Sequence, residues 1–284
     1  MRVMILGSKG QLGRELAARY HRRAHVLPLD LPAFDIGDPA QVREAFTDFP
    51  PDLVVNAAAF TDVDGAESNR EAAFRVNVTG AFNVASEAER VGTRLVYYST
   101  DFVFDGQSPD PLAEEAPVRP ESPLGVYGFT KWLGELASRR ASRHLILRTA
   151  WLYGPGGNNF VEKILAAAAS RTELRVVADE TGCPTHTWDL AEATEALCDA
   201  EAAGLFHVVN TGYCSRAEFA QAILRMAGSP ARVVPCRSRE FPTTARRPAR
   251  AVLDTAKYTQ TTGRPLRGWI EALAHYMERR KAAE

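Results

Sequence analysis

The chain has 284 residues, of which 45% are hydrophobic and 24% charged, with a formal net charge of -1. That balance carries no bulk electrostatic pull toward nucleic acid or an anionic membrane, and no apolar run approaches the roughly 20 residues a helix needs to span a bilayer. Cys183, Cys198, Cys214 and Cys236 stand far apart with neither metal-ligand nor redox spacing, which reads as reduced thiols in a cytoplasmic protein without a zinc site.

Val3 to Leu6 is a short continuous apolar run, as expected of a strand buried on both faces of a parallel sheet. Glycine and charge interrupt it before a signal-peptide core forms, so an unexported protein is expected. Gly7, Gly10 and Gly13 follow at once, and Leu12, Leu16 and Tyr20 give Gln11 to Tyr20 a helical period. Glycines at such a strand-to-helix turn let the backbone approach a pyrophosphate, while the new helix points its free N–H groups and positive dipole end at it. The spacing G-x-x-G-x-x-G is that of extended short-chain dehydrogenases rather than of other dinucleotide-binding folds.

His25 to Asp30 reads as the second strand, ending in a carboxylate about twenty positions beyond the glycines. Asp30 there would accept hydrogen bonds from the adenosine ribose and favour NADH, whereas Lys9 in the glycine loop would hold the 2′-phosphate of NADPH. The preference between NAD(H) and NADP(H) stays open at this stage. Phe34 to Ile36 reads as a further short strand with Asp35 and Ile36 beside the adenine, and Asp38 followed by Pro39 as the start of a helix running through Gln41 to Phe49. Pro51 to Ala59 is another buried strand whose small terminal residues suit either packing or a close approach to a cofactor. The loop from Phe60 to Glu67 lies at its carboxyl end, where open α/β sheets place ligands, which makes Thr61, Val63 and Asp64 candidates for a substrate pocket. A long helix is expected from Arg75 to about Gly92, with Asn77 bonded to nearby backbone or bracing the sheet.

Leu95 to Tyr98 leads a strand into Thr100, and Tyr127 and Lys131 stand four apart on one helix face, Tyr127 to Ser138. A phenol with an ammonium close by has its pKa lowered and can relay a proton, and Thr100 would aim a hydroxyl at the same oxygen. The intervening loop from Asp105 to Pro123 is long enough to suggest a flap over a substrate. His144 to Tyr153 is a further strand, with Trp151 near its carboxyl end either packing on a sugar or base or buried in the core. Beyond it come helices at Asn159 to Ser170, Trp188 to Asp199, Arg216 to Ala227 and Trp269 to Arg280, with strands at Leu174 to Ala178 and Gly204 to Asn210. The fold class expected is α/β. Residues 1–157 mainly form a Rossmann-type, doubly wound parallel sheet that binds NAD(P), and residues 158–284 mainly a smaller substrate-binding lobe with segments returning to the first domain.

Together the glycine loop, the Asn56 to Ala59 run with Thr61 to Asp64, the Ser99 to Phe104 stretch and the Tyr127/Lys131 pair closely resemble dTDP-4-dehydrorhamnose reductases. The likeness continues through Arg148 to Trp151, Asn158 to Phe160, Gly182 to Thr185, Arg247 with Pro248, and Leu253 to Thr255. It implies reduction of the C4 ketone of a 6-deoxyhexulose nucleotide, dTDP-4-dehydro-L-rhamnose, as the last step of dTDP-L-rhamnose synthesis. It also implies that Tyr127 is the proton donor, Lys131 its activator and ribose contact, and Thr100 the hydroxyl that orients the ketone. Gly10, Gln11 and Leu12 would cover the pyrophosphate, and Asp30, Asp35, Ile36, Ala59, Phe60, Thr61 and Tyr98 would complete the cofactor site. Thr100, Asp101 and Trp151 would touch the deoxysugar nucleotide.

Two positions depart from the family pattern. Phe102 replaces a usual Tyr, removing a hydroxyl near the sugar and one half of the acid pair that related dehydratases use. Glu15 matches one ligand of an interfacial magnesium, but Trp188 stands where another carboxylate is expected, so a metal-bridged dimer is not expected, and monomer or homodimer stays undecided. The rival reading is a non-catalytic dinucleotide-binding subunit resembling the β subunit of methionine adenosyltransferase. A closer alternative is a reductase of a related nucleotide-linked 4-keto-deoxysugar.

Overall fold

The computed structural model describes residues 1–118 and 125–282. Its centre is a six-stranded parallel sheet built from β1 (Arg2–Leu6), β2 (His25–Leu29), β3 (Leu53–Asn56), β4 (Arg94–Thr100), β5 (His144–Thr149) and the strand Gly204–His207. Across the sheet the order is Gly204–His207, β5, β4, β3, β1, β2. The chain grows outward from β1 to β2, then returns to add β3 on the other side. The crevice at the carboxyl ends of β1 and β3, where Leu6 stands level with both Leu29 and Asn56, is therefore the switch point at which such sheets bind ligands.

Burial explains the composition of these strands. β3 and β4 are buried throughout, and β1 and β5 apart from their first residues, so they carry apolar runs without alternation. Successive side chains still point to opposite faces. Val3, Ile5, Val55 and Leu147 pack with Leu16, Leu190 and Leu197 beneath α1 (Gln11–Tyr20) and the helix Thr187–Asp199. Met4, Leu6 and Val54 pack with Val42, Phe46 and Val84 beneath α2 (Pro39–Asp48) and the helix Ala81–Val91. Each such side chain fully removed from water contributes roughly 1.5–3 kcal/mol. β2 pairs only with β1, and this edge position tolerates Pro28, which has no N–H to donate.

Helix α2 begins as its sequence dictates, with the Asp38 carboxylate accepting from the Ala40 and Gln41 amides and Pro39 in the first turn. Other expectations are corrected. Phe34 to Ile36 forms no strand: the Asp35 carboxylate turns back onto the Gly37 amide and fixes a loop. β3 stops at Asn56, whose side chain accepts from the Ala58 amide and breaks the ladder. The helix expected from Arg75 opens as a π-helical turn over Arg75–Gly80, with one extra residue in the turn, before Ala81–Val91 continues as α-helix. The strand expected through Tyr153 is cut at Trp151, whose φ of 44° lies in the left-handed region.

After Trp151 the chain builds a second layer. Glu173–Val177 pairs with Arg232–Cys236, and the helices Phe160–Ala168 and Arg216–Ala227 cover them around Tyr153, Val161, Ile164, Leu174, Phe219 and Ile223. Between the two halves of this layer, Thr187–Asp199 and Gly204–His207 return to the large sheet. The loop after Asp105 departs from the flap expectation over its described part. Gln107 and Leu112 form bridges to Arg250 and Leu253, and Glu114 accepts from the His207 amide, so this segment is tied down there and its described residues do not line the large cleft; residues 119–123 of the expected flap lie outside the described residues. No helix among the described residues is long and apolar enough to cross a membrane.

Candidate active site

A cleft of about 1110 Å³ opens at the carboxyl ends of the strands. Its first wall is the glycine turn. Gly7 has φ of 75°, and a Cβ on it would lie 2.6 Å from the Ala58 amide nitrogen; a Cβ on Gly13 would collide with the Gly7 carbonyl. Only glycine lets β1, α1 and the Ala57 to Ala59 segment approach this closely. Gly10 caps α1 without any side-chain hydrogen bond, so the first-turn amides remain available to an anion. Gln11 ties this turn to the second layer, donating to the Leu152 carbonyl at 3.4 Å and facing Asn159 at 3.4 Å.

The candidate catalytic groups gather where the end of β4 meets the helix Gly125–Ser138. The helix Gly125–Ser138 is drawn against the segment after Thr100 because Gly128 has no Cβ to strike the Phe102 carbonyl. Tyr127 therefore meets Phe102 edge-on, with ring centroids 5.5 Å apart, and its phenol faces the Thr100 hydroxyl. Asn77 braces the arrangement. Its amide bonds Phe60 through N–H at 2.9 Å and C=O at 3.1 Å, and donates to Thr130 at 3.0 Å. The π-helical turn aims Asn77 at this junction.

The electrostatics differ from the sequence expectation. Burial pushes the Tyr127 phenol up to about 12, and the Thr100 hydroxyl opposes that rise. Lys131 is 3% exposed, and burial pulls its ammonium down to about 7 with Glu135 opposing. Its Nζ lies 4.2 Å from the centroid of the Tyr97 ring, a cation–π contact. The direction of the Tyr127 shift is thus opposite to the lowering expected from Lys131: burial raises it, the Asp101 charge adds to the rise, and the Thr100 hydroxyl alone opposes it. Asp101, 2% exposed, is pushed up to about 6 by burial, with the Thr100 hydroxyl and Arg216 opposing.

Of the residues singled out from the sequence, Gly7, Gly10, Gln11, Leu12, Gly13, Asp30, Asp35 and Ile36 border the β1/β2 end of the cleft. Ala59, Phe60, Thr61, Val63, Tyr98, Thr100, Asp101, Tyr127, Lys131 and Trp151 border its middle. The Tyr98 hydroxyl is turned away to Thr194, at 2.9 Å. Asp64 does not border the cleft. It stands behind it, holding the Arg247 guanidinium at 2.5 Å and the Ala245 amide at 2.9 Å. Glu15 pairs with Arg279 at 2.8 Å, and the Arg279 guanidinium lies 4.4 Å from the Trp188 ring centroid. No cluster of three or more His, Cys, Asp or Glu that could hold a metal is found among the described residues.

The sequence reading missed the opposite wall, where Lys163, Arg175, Glu180, Arg216, Phe241 and Arg247 face the cleft. Arg216 is the most informative of them. Its guanidinium stacks 3.6 Å from the centroid of Trp151 and lies 3.6 Å from Glu180. It also occupies the first position of its helix, after the capping box of Ser215 and Glu218, where the dipole disfavours a cation. That local conflict was a readable signal. Arg175 and Phe241 carried none, because their neighbourhood exists only once Glu173–Val177 and the turn after Arg232–Cys236 come together.

Comparison with known proteins bears on this arrangement. Residues 1–282 match the family model described as RmlD substrate binding domain. The spore coat polysaccharide biosynthesis protein SpsK of Bacillus subtilis is 39% identical over 99% of both chains. A dTDP-4-dehydrorhamnose reductase from Mycobacterium tuberculosis is 41% identical over 96% of this chain and 91% of its own. The solved dTDP-4-dehydrorhamnose reductase of Bacillus anthracis, in complex with NADP, superposes with a TM-score of 0.94 at 35% identity, covering 98% of this chain and 99% of that one.

Proposed function

The chain belongs to the dTDP-4-dehydrorhamnose reductase family, and from that premise we propose that it is an NADPH-dependent reductase of the C4 ketone of dTDP-4-dehydro-L-rhamnose, yielding dTDP-L-rhamnose. The observation that carries the reading is the juxtaposition, in one cleft, of an uncapped helix N-terminus behind three glycines with Thr100, Tyr127 and Lys131.

A dinucleotide fits this chain. The amides at the start of α1 suit its diphosphate, and the absence of a Cβ at Gly7 and Gly13 lets β1, α1 and Ala58 pack closely enough to hold those amides at the cleft. Both Asp30 oxygens are engaged by backbone, the Lys9 amide at 2.6 Å and the Leu31 amide at 2.7 Å, while the Lys9 ammonium rests on the Leu31 carbonyl at 2.7 Å. A carboxylate so occupied repels a ribose phosphate less, and an ammonium beside it attracts one, which supports NADP(H) while leaving NAD(H) usable. When bound, the reduced nicotinamide supplies the hydride.

The protein's own part is to hold the ketone and supply the proton. Tyr127, fully protonated at neutral pH because burial holds its phenol near 12, donates to the C4 oxygen and is left as phenolate. Lys131, one turn along the same helix, offsets that new charge once the cleft is filled, and solvent restores the proton. Thr100 orients the ketone oxygen, and Trp151, clamped between Arg216 and Gly182, offers its ring to the sugar. The basic wall of Lys163, Arg175, Arg216 and Arg247 suits the charge of a nucleotide diphosphate.

Tyr127→Phe should lower turnover by about 10²–10⁴-fold while leaving NADPH affinity, read by fluorescence titration, within a few-fold of the parent. Turnover near the parent rate would remove Tyr127 from the mechanism. Resemblance to SpsK favours one neighbouring reading, a reductase of a related nucleotide-linked 4-keto sugar, which product identification separates from the first.

A further inference from the structure

We propose that Asp101 is a positioning residue whose carboxyl decides whether the Thr100 hydroxyl offers the cleft a proton or a lone pair. The inference rests on the reductase reading and concerns the proton arrangement inside that same site.

The geometry is a hydrogen-bond count. Thr100 Oγ1 donates to Asp101 Oδ1 at 3.0 Å and accepts from the Phe102 amide at 3.2 Å. A hydroxyl has one proton and two lone pairs, so with Asp101 ionised a single lone pair is left to face Tyr127. In that state Thr100 can only accept. The phenolic proton is drawn toward Thr100, and a ketone oxygen, itself an acceptor, receives nothing from it.

With Asp101 protonated, the acid O–H donates to Thr100, both lone pairs are filled, and the hydroxyl proton turns to the cleft. There it joins the Tyr127 proton on the ketone oxygen. The proton consumed is still that of Tyr127, and Asp101 keeps its own throughout. The ionised state suits the reverse reaction, whose alcohol brings a proton of its own. A second observation singles out this carboxyl: Asp101 Oδ2 is buried without a hydrogen-bond partner, an arrangement costly for a carboxylate and far less so for an acid.

The groups facing Asp101 come from four elements. Thr100 lies on β4, Tyr127 on Gly125–Ser138, Arg216 on Arg216–Ala227, and Cys183 after the short strand Thr181–Gly182. Arg216 favours the carboxylate, but its charge is shared with Glu180. Cys183 is a neutral thiol, raised by burial to about 12. Burial prevails and places the Asp101 transition near 6, within reach of physiological change.

The test compares kcat for ketone reduction from about pH 5 to about pH 7.5 in the parent, Asp101→Asn, Thr100→Ser and Thr100→Val. Parent kcat should fall roughly tenfold as pH rises through the Asp101 transition. Thr100→Ser should keep that inflection, and Asp101→Asn and Thr100→Val should lose it; a merely structural role for Asp101 would lower the rate equally at every pH. In parallel, carbon-13 NMR follows the Asp101 carboxyl in the protein without cofactor. Its midpoint should rise in Thr100→Val, where the carboxylate loses its donor, and stay in Thr100→Ser. An inflection unchanged in Asp101→Asn, or an Asp101 midpoint unmoved by Thr100→Val, overturns the proposal. A parent that reduces no keto-sugar nucleotide sinks the reductase reading instead, and the NMR arm still decides the Asp101–Thr100 coupling.

Discussion

Lys131 is the residue at which function and stability pull apart. Its folded value of about 7 lies below the ordinary 10.5, so the unfolded chain holds the proton more tightly. Below pH 7 both states are charged and the whole cost of burying the ammonium is present; as pH rises from about 7 to about 10.5 the folded state sheds its proton first and the cost fades. Lys131→Met should therefore raise Tm by roughly 5 °C or more near pH 6, with the gain shrinking toward pH 10.5, while abolishing turnover; thermal melts across that range check both. A gain independent of pH would mean that the folded and unfolded chains hold the Lys131 proton equally, so that burial does not shift it. At this scale the sequence was legible where chemistry repeats a local pattern. Tyr127, Lys131 and the glycines, which all line the cleft, could be picked out by spacing, whereas the reversal of the Tyr127 shift could not, since burial is a property of the packed helix and not of the three residues between a phenol and an amine.

The helix Gly125–Ser138 positions the site by how close it lies to its neighbours. A Cβ on Gly134 would strike the Tyr97 hydroxyl and come within 2.5 Å of the Asn77 carbonyl, which is backbone and cannot swing aside. Gly134→Ala, favourable on helix propensity alone, should instead destabilise by roughly 1–3 kcal/mol and lower turnover by displacing Tyr127, read as a shift in the urea midpoint beside kcat. Unchanged stability would show that this helix is free to shift. The elements themselves were mostly readable: α1 and Arg216–Ala227 fall where their apolar periods place them. Those misread share one cause. Phe34 to Ile36, the Arg75–Gly80 turn and the break at Trp151 each meet a contact from elsewhere, respectively the Asn83 amide on the Ile36 carbonyl, Asn77 reaching Phe60 and Thr130, and Arg216 stacking on the indole. Left-handed backbone at a tryptophan is strain of the kind that persists where surrounding structure over-determines it.

For the whole molecule, the two layers are interleaved rather than strung in series. The chain leaves the large sheet after β5 to place Lys163 and Arg175, returns to supply the helix that covers α1 and the sixth strand, and leaves again to add Arg216 and Arg247 to the basic wall. Gln11 touches Leu152 and faces Asn159 across the junction, linking the glycine turn to the second layer. The sequence marked the glycine-turn end of the cleft through its order of strand, glycines and helix, but left the opposite wall blank, because Lys163, Arg175, Arg216 and Arg247 converge from four separate segments. The central claim, that this cleft carries hydride to one side of a sugar ketone and a proton to the other, is tested by a labelled turnover. With NADPH deuterated at the transferable position of its nicotinamide and dTDP-4-dehydro-L-rhamnose as substrate, mass spectrometry should find one deuterium at C4 of dTDP-L-rhamnose for each cofactor oxidised. Binding of both molecules without oxidation, or a product carrying no deuterium, would contradict it.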